Sequence, residues 1–211
     1  MSLNMSTANL ITLLRLPLLI LVVVLLYLPG ATPAFVALFL LPVLYLMDWL
    51  DGYVARFKDE VTDLGSVLDI AMDRAVENVL WVVFVHLGAV PLWVGLVFII
   101  RSFLVDGLRE FALVKGYSAF GMMSSPLGKF LVAGRFMRGL YGLAKGLAFG
   151  GLALCQALTA LGPPAVAQME FFFWLTPILV YLSVFLCIAR GVPVLVDIRG
   201  ILEQAPPPEE R

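Results

Sequence analysis

The sequence predicts an all-α integral membrane protein with six transmembrane helices and a polar site at the cytoplasmic side, and three observations carry that prediction. Hydrophobic residues make up 62% of the 211 positions and charged residues only 14%, whereas soluble domains run near 45–50% apolar and about 25% charged. Six apolar segments, each at least as long as the roughly 20 residues that a bilayer span requires, alternate with turn residues. Basic residues gather at alternate segment ends.

The first helix is expected near 9–28, where the apolar run Leu10 to Leu28 follows a polar, uncharged start. That start lacks the basic region and small-residue cleavage site of a signal peptide, so the run is expected to be retained as a span. Pro29, Gly30 and Pro33 then break the chain, and a second helix is expected over 33–56. A third follows near 62–87 and a fourth near 91–114, separated by the turn Gly88 to Pro91. The fifth is expected over 126–158 and the sixth over 169–190, with Gly162, Pro163 and Pro164 between them. Residues 1–202 are read as one membrane domain; from Glu203 onward Pro206, Pro207, Pro208 and terminal charges predict a disordered tail.

Arg56, Lys58, Arg109, Lys115, Lys129, Arg190, Arg199 and Arg211 lie at one set of helix ends, while the three opposite turns carry no Lys or Arg. The positive-inside rule then puts both termini, the 57–61 loop and the 115–125 loop in the cytoplasm of a multi-pass cell-membrane protein. Fourteen basic against fifteen acidic side chains leave a net charge of −1, which excludes the basic footprint of a nucleic-acid polymer binder. Cys155 and Cys187 sit in apolar runs and form no disulfide framework. The single histidine, His86, falls at the external end of the third helix and is read as a surface or capping group.

Charge inside a span is costly and marks function, yet eight of the fifteen acids lie between Asp48 and Glu77. Asp48 and Asp51 are spaced i, i+3 at the end of the second helix, and Asp69 and Asp73 i, i+4 near the start of the third, so each pair shares a helix face. Carboxylates brought together in a low dielectric repel unless a cation neutralises them. An all-oxygen set without Cys or His selects hard ions such as Mg²⁺, Mn²⁺ or Ca²⁺, and four carboxylates are enough to hold one ion or two. The alternative is a set of interfacial salt bridges to Arg56, Lys58 and Arg74. Gly52, Ala55 and Gly65 are small residues among these acids, where they make space for a ligand or for helix packing.

Asp48, Asp51, Gly52, Ala55, Arg56, Gly65, Asp69 and Asp73 together resemble the signature of the CDP-alcohol phosphotransferases, D-x2-D-G-x2-A-R-x8-G-x3-D-x3-D, at every fixed position and spacing. The resemblance implies six spans, a homodimer, and transfer of a substituted phosphate from a CDP-linked donor to an alcohol with release of CMP. It implies that Asp48, Asp51, Asp69 and Asp73 hold two divalent cations, Mg²⁺ or Mn²⁺, and that Asp73 is also the catalytic base. Gly52, Ala55, Arg56 and Gly65 would receive the nucleotide. Asn9, Thr12 and Arg15 resemble the start of the bacterial phosphatidylglycerophosphate synthases within that family and add nucleotide or phosphate contacts; a helix cap with a snorkelling arginine is the alternative.

The acceptor is read as a phosphorylated polyol. Arg135, Arg138 and Lys145 fall on roughly one face of the fifth helix, and Arg101 and Arg109 of the fourth can assist them in holding a phosphate; a structural network with acids of the third helix is the alternative. With CDP-diacylglycerol as donor, glycerol 3-phosphate is the first choice of acceptor. Arg74 directly after Asp73 is more like the inositol-phosphate branch, which makes inositol phosphate the second choice. A divalent-cation transporter is the reading from a different class, but its acids would sit at the midplane rather than at one membrane face. Gly142, Gly146 and Gly150 form a small-residue ridge suited to close helix packing.

Overall fold

The computed structural model describes residues 6–58, 62–114 and 125–203, and among these the chain is helical without strands. Helices α1 (Thr7–Tyr27) and α2 (Ala31–Phe57) are followed by α3 (Asp63–His86) and α4 (Leu92–Val114). Then come a short α5 (Pro126–Gly128) running into a π-turn at Lys129–Ala133, α6 (Arg135–Leu161), α7 (Pro163–Gln168) and α8 (Glu170–Glu203). Four of them, α1, α2, α6 and α8 over Glu170–Asp197, are long and apolar enough to cross a membrane.

The first four helices begin and end within about two residues of the expected positions, because each boundary carries a local signal. Ser6 caps α1 by accepting a hydrogen bond from Asn9 N at 3.1 Å, and Thr62 caps α3 by accepting one from Gly65 N at 3.0 Å. Gly30, at φ 101°, makes the turn into α2 that a residue with a Cβ resists.

Three expectations need correction. The fifth helix is not continuous over 126–158: the chain leaves the helix at Gly134 (φ −57°, ψ 127°), where a Cβ would collide with the Phe130 carbonyl oxygen. Gly162, Pro163 and Pro164 do not form a bare turn, since the prolines occupy the first turn of α7, where a missing N–H costs nothing. The last helix runs to Glu203 rather than 190. Most of the 115–125 loop and of the tail lies outside the described residues.

The chain forms two compact units. The first comprises residues 1–91 and 146–178 and the second residues 92–145 and 179–211. In the first, α1 packs against α2 and α3. Gln156 donates to the Leu26 carbonyl at 2.6 Å, satisfying an oxygen that the end of α1 leaves without an intrahelical partner. The ridge glycines act as expected at two positions. A Cβ on Gly146 would lie 3.9 Å from the Tyr45 ring and one on Gly150 3.9 Å from Leu38, whereas Gly142 has nothing within 4 Å. At the far end of α3, exposed His86 shares a 2.7 Å hydrogen bond with Tyr27.

Trp81 is fully buried in this unit, its ring centroid 4.6 Å from that of Phe149 at 52°. Aromatic packing of this kind is lost outright on truncation, so Trp81→Ala is expected to cost about 3 kcal/mol, read as a fall in the thermal unfolding midpoint of detergent-purified protein. In the second unit a small core of Val105, Ala112, Val132 and Val194 is flanked by Leu108 and Leu131. Arg190 donates to the carbonyls of Leu131 (2.6 Å) and Val132 (3.2 Å), oxygens of the π-turn. That contact ties α8 to the broken segment.

Candidate active site

The two N-caps place Asn9 and Gly65 at equivalent positions, three residues beyond Ser6 and Thr62, on the first turns of α1 and α3. There the two helices come together: a Cβ on Gly65 would stand 2.7 Å from Asn9 Oδ1 and 3.0 Å from Thr62 Oγ1. Only a glycine leaves that approach open. The last turns of α2 complete a cavity of about 300 Å³ lined by Asn9, Thr12, Asp51, Gly52, Ala55, Arg56, Gly65 and Asp69, with Ala8, Thr62 and Ser66. Asn9, Thr12, Gly52, Ala55, Arg56 and Gly65, all expected to meet the nucleotide, thus face one space, and Arg15 is not among its walls. The first turns of two helices also bring the positive ends of their dipoles to it, a setting that favours phosphate oxygens.

Beside the cavity, Asp48, Asp51 and Asp69 each present a carboxylate oxygen within 4.8 Å of the others. Asp51 is buried and accepts a 2.7 Å hydrogen bond from the Thr12 hydroxyl. Asp48 and Asp69 are partly open, with side chains 35% and 51% exposed, so the group is reachable from outside. The donor set fits a hard divalent cation: all oxygen, three carboxylates, and no thiolate or imidazole among them. Asp73 lies outside this trio. Its Oδ1 accepts from Arg15 Nη2 at 2.9 Å.

Arg15 is the residue that sequence reasoning placed least well. It was grouped with phosphate contacts or interfacial snorkelling, yet it is 1% exposed and its Nη1 lies 2.6 Å from Asp48 Oδ1 and 3.8 Å from Asp69 Oδ1. Of the three cations weighed as salt-bridge partners for the eight acids, Arg74 does pair with one of them, Glu77, and the other two are engaged elsewhere. Arg74 pairs with Glu77 at 3.0 Å, Lys58 donates to the Thr7 hydroxyl at 2.9 Å, and Arg56 folds back over Gly52, 3.4 Å from where a Cβ would stand. The signal for Arg15 was its position one turn beyond Thr12, on the face that meets Asp51. Thr62, a cap and a cavity wall at once, was also missed; a threonine three residues before a glycine at a helix start is its signature.

The second unit holds the basic residues expected to bind the acceptor phosphate. Arg101, Lys145 and Arg190 surround the Tyr141 ring, with their charged atoms 5.9, 4.3 and 5.5 Å from its centroid. Arg101 is 9% exposed, and its Nε and Nη1 are buried without a hydrogen-bond partner. Arg109 and Arg138 act electrostatically on Arg190 and belong to the same positive group. Arg135 is exposed. Arg190 was not among the expected phosphate ligands, and its place on the last helix gave no periodicity to link it with α4 and α6.

Residues 5–188 match the family described as CDP-alcohol phosphatidyltransferase. The chain is similar to the CDP-diacylglycerol–glycerol-3-phosphate 3-phosphatidyltransferase of Bacillus subtilis (strain 168), with 39% identity over 62 residues, 29% of this chain and 32% of that one. The Pseudomonas fluorescens protein of the same name is 36% identical over 109 residues, 50% of this chain and 55% of that one. A Mycobacterium tuberculosis (strain ATCC 25618 / H37Rv) protein carrying the provisional name cardiolipin synthase is 36% identical over 72 residues, 34% of each chain. The chain thus spans between about a third and about half the length of these relatives. With the family match running over most of its length and six of the eight signature residues of α2 and α3 lining one cavity, this chain belongs to the CDP-alcohol phosphatidyltransferase family.

Proposed function

We propose that the protein transfers the phosphatidyl group of CDP-diacylglycerol to a polyol phosphate, glycerol 3-phosphate first, with release of CMP, as a step of phospholipid synthesis. The observation that carries this reading is the single cavity formed by Asn9, Thr12, Gly52, Ala55, Arg56 and Gly65 with three carboxylates at its edge. Asp48, Asp51, Asp69 and Asp73 hold two divalent cations, Mg²⁺ or Mn²⁺. Such ions, when bound, neutralise the diphosphate and the charge that develops on departing CMP.

The chain's own residues do the rest. The small residues on α2 and α3 admit the cytidine nucleotide, and Arg56 adds positive charge beside it. Asp73 is exposed, and Arg15 anchors its Oδ1 at 2.9 Å, which leaves Oδ2 for the acceptor hydroxyl. The hydroxyl proton passes to Asp73 as the acceptor oxygen bonds to the phosphatidyl phosphorus and the bond from phosphorus to the CMP oxygen breaks. Arg101, Arg109, Arg138 and Lys145 hold the acceptor phosphate, with Arg135 assisting at the exposed edge.

In this reading α3 and α4 also cross the bilayer. Each keeps one apolar end: α3 carries its charges from Asp63 to Glu77 and is largely apolar to His86, and α4 is apolar from Leu92 to Ile100 before Arg101. The site and both termini then face the cytoplasm, and the protein works as a homodimer in the cell membrane.

The test is CMP release by purified protein given CDP-diacylglycerol and Mg²⁺ with glycerol 3-phosphate, inositol phosphate, inositol, serine or phosphatidylglycerol in parallel, the last because of the name carried by the mycobacterial relative. Glycerol 3-phosphate is expected to support the fastest release, and free inositol and serine none above background. Faster turnover with inositol phosphate overturns the acceptor assignment while leaving the donor chemistry in place.

A further inference from the structure

Three acidic side chains on α2 and α3 meet one cation that comes from neither helix. Arg15 projects from α1, is 1% exposed, and contacts Asp48 at 2.6 Å, Asp73 at 2.9 Å and Asp69 at 3.8 Å. Its Nε is buried without a hydrogen-bond partner, so among the described residues the guanidinium is held through its terminal nitrogens, on oxygens of the acids. A buried guanidinium is stable only while those charges balance it. The acids in turn are gathered with one positive charge already among them.

We infer that Arg15 is a built-in competitor of the divalent cations: it takes up oxygens of Asp48 and Asp73, preorganises the acids in metal-free protein, and lowers their intrinsic affinity for metal. This rests on reading the acids as a metal site. Three carboxylates with Arg15 beside them keep enough negative charge for one ion. A second ion then meets the repulsion of Arg15 unless an anionic diphosphate arrives with it. Arg15 therefore couples full metal loading to the presence of the donor and is a positioning residue rather than a ligand.

Binding of Mn²⁺ alone to the full-length protein, followed by loss of the free-ion paramagnetic resonance signal, tests the inference, with thermal unfolding measured in EDTA and in Mn²⁺. Arg15→Gln is expected to bind Mn²⁺ at least about tenfold more tightly than the parent, because one repelling charge is gone. The same variant should unfold at lower temperature in EDTA and recover with Mn²⁺. Arg15→Lys keeps the charge but loses the two-pronged geometry and should tighten binding by a smaller factor; should Arg15→Gln not fold, this variant decides. A purely structural arginine predicts lower stability with unchanged or weaker Mn²⁺ binding, and that result overturns the inference. Asp69→Asn serves as the control. If it abolishes Mn²⁺ binding while the Arg15 variants match the parent, the metal site stands and Arg15's role falls. If no form of the protein binds Mn²⁺, both fall.

Discussion

Replacing Asp69 by Asn is expected to lower Mg²⁺-dependent CMP release by at least about a hundredfold while the protein still folds, because the change removes a charge from the metal-binding set without changing its volume. Asp69 supplies one of three carboxylate oxygens lying within 4.8 Å of one another, and an amide oxygen is a far weaker partner for a hard cation. The fold has little at stake in this side chain. It is 51% exposed, and Arg15 stands 3.8 Å away while making its closer contacts to Asp48 and Asp73. With those shorter contacts at 2.6 and 2.9 Å intact, the buried guanidinium keeps its balancing charges when Asp69 loses its own. Release of CMP across a Mg²⁺ titration, alongside the unfolding midpoint, checks the expectation. Wild-type turnover in Asp69→Asn would remove the shared-metal reading, and loss of the folded protein would show that the carboxylate is structural.

What could be read from the sequence was what is local along the chain. Asp48 with Asp51, and Asp69 with Asp73, are each placed on a common face by helical spacing alone, and the helix bearing each pair is bounded by turn residues or caps that are themselves local. Residues brought together from distant parts of the chain left weaker traces. Arg15 lies 33 residues from Asp48 and 58 from Asp73, so a count of cations near the acids in sequence passed over the one that is near them in space. The break at Gly134 was invisible for a similar reason. The apolar pattern continues through it, and the carbonyls the π-turn leaves open are satisfied by Arg190, 59 residues on from Leu131. Hydropathy also treats α3 and α4 as spans on the strength of their apolar halves, although the charges at their other ends keep both below the composition of a simple transmembrane helix.

The second large effect is expected at Gly65. In an unobstructed helix, replacing glycine by alanine stabilises by up to about 1 kcal/mol, so the sign of the change here separates a packing role from none. A Cβ would stand 2.7 Å from Asn9 Oδ1 and 3.0 Å from Thr62 Oγ1, and neither neighbour is free to retreat without loss. Asn9 is 8% exposed at the wall of the cavity, and the Thr62 hydroxyl accepts the 3.0 Å hydrogen bond that starts α3. Gly65→Val adds two methyl groups beyond that Cβ, beside the place proposed for the nucleotide. Displacing α1 from α3 by even 1 Å shifts groups on both helices, and errors of that size cost up to about a hundredfold in rate. The expected result is a 10- to 100-fold loss of CMP release (an order-of-magnitude figure from the same argument), expressed mainly as a raised KM for CDP-diacylglycerol. Mn²⁺ binding should persist, because Asp48, Asp51 and Asp69 keep their charges. The double change Asn9→Ala with Gly65→Ala distinguishes the steric account from a polar one. If Asn9 matters at this contact chiefly as the atom that Cβ strikes, removing it relieves part of the Gly65→Ala defect; if its amide contacts the nucleotide, the pair is worse than either change alone. Unchanged KM in Gly65→Val would mean that the donor does not enter between these helices, and that the cavity serves something other than CDP-diacylglycerol.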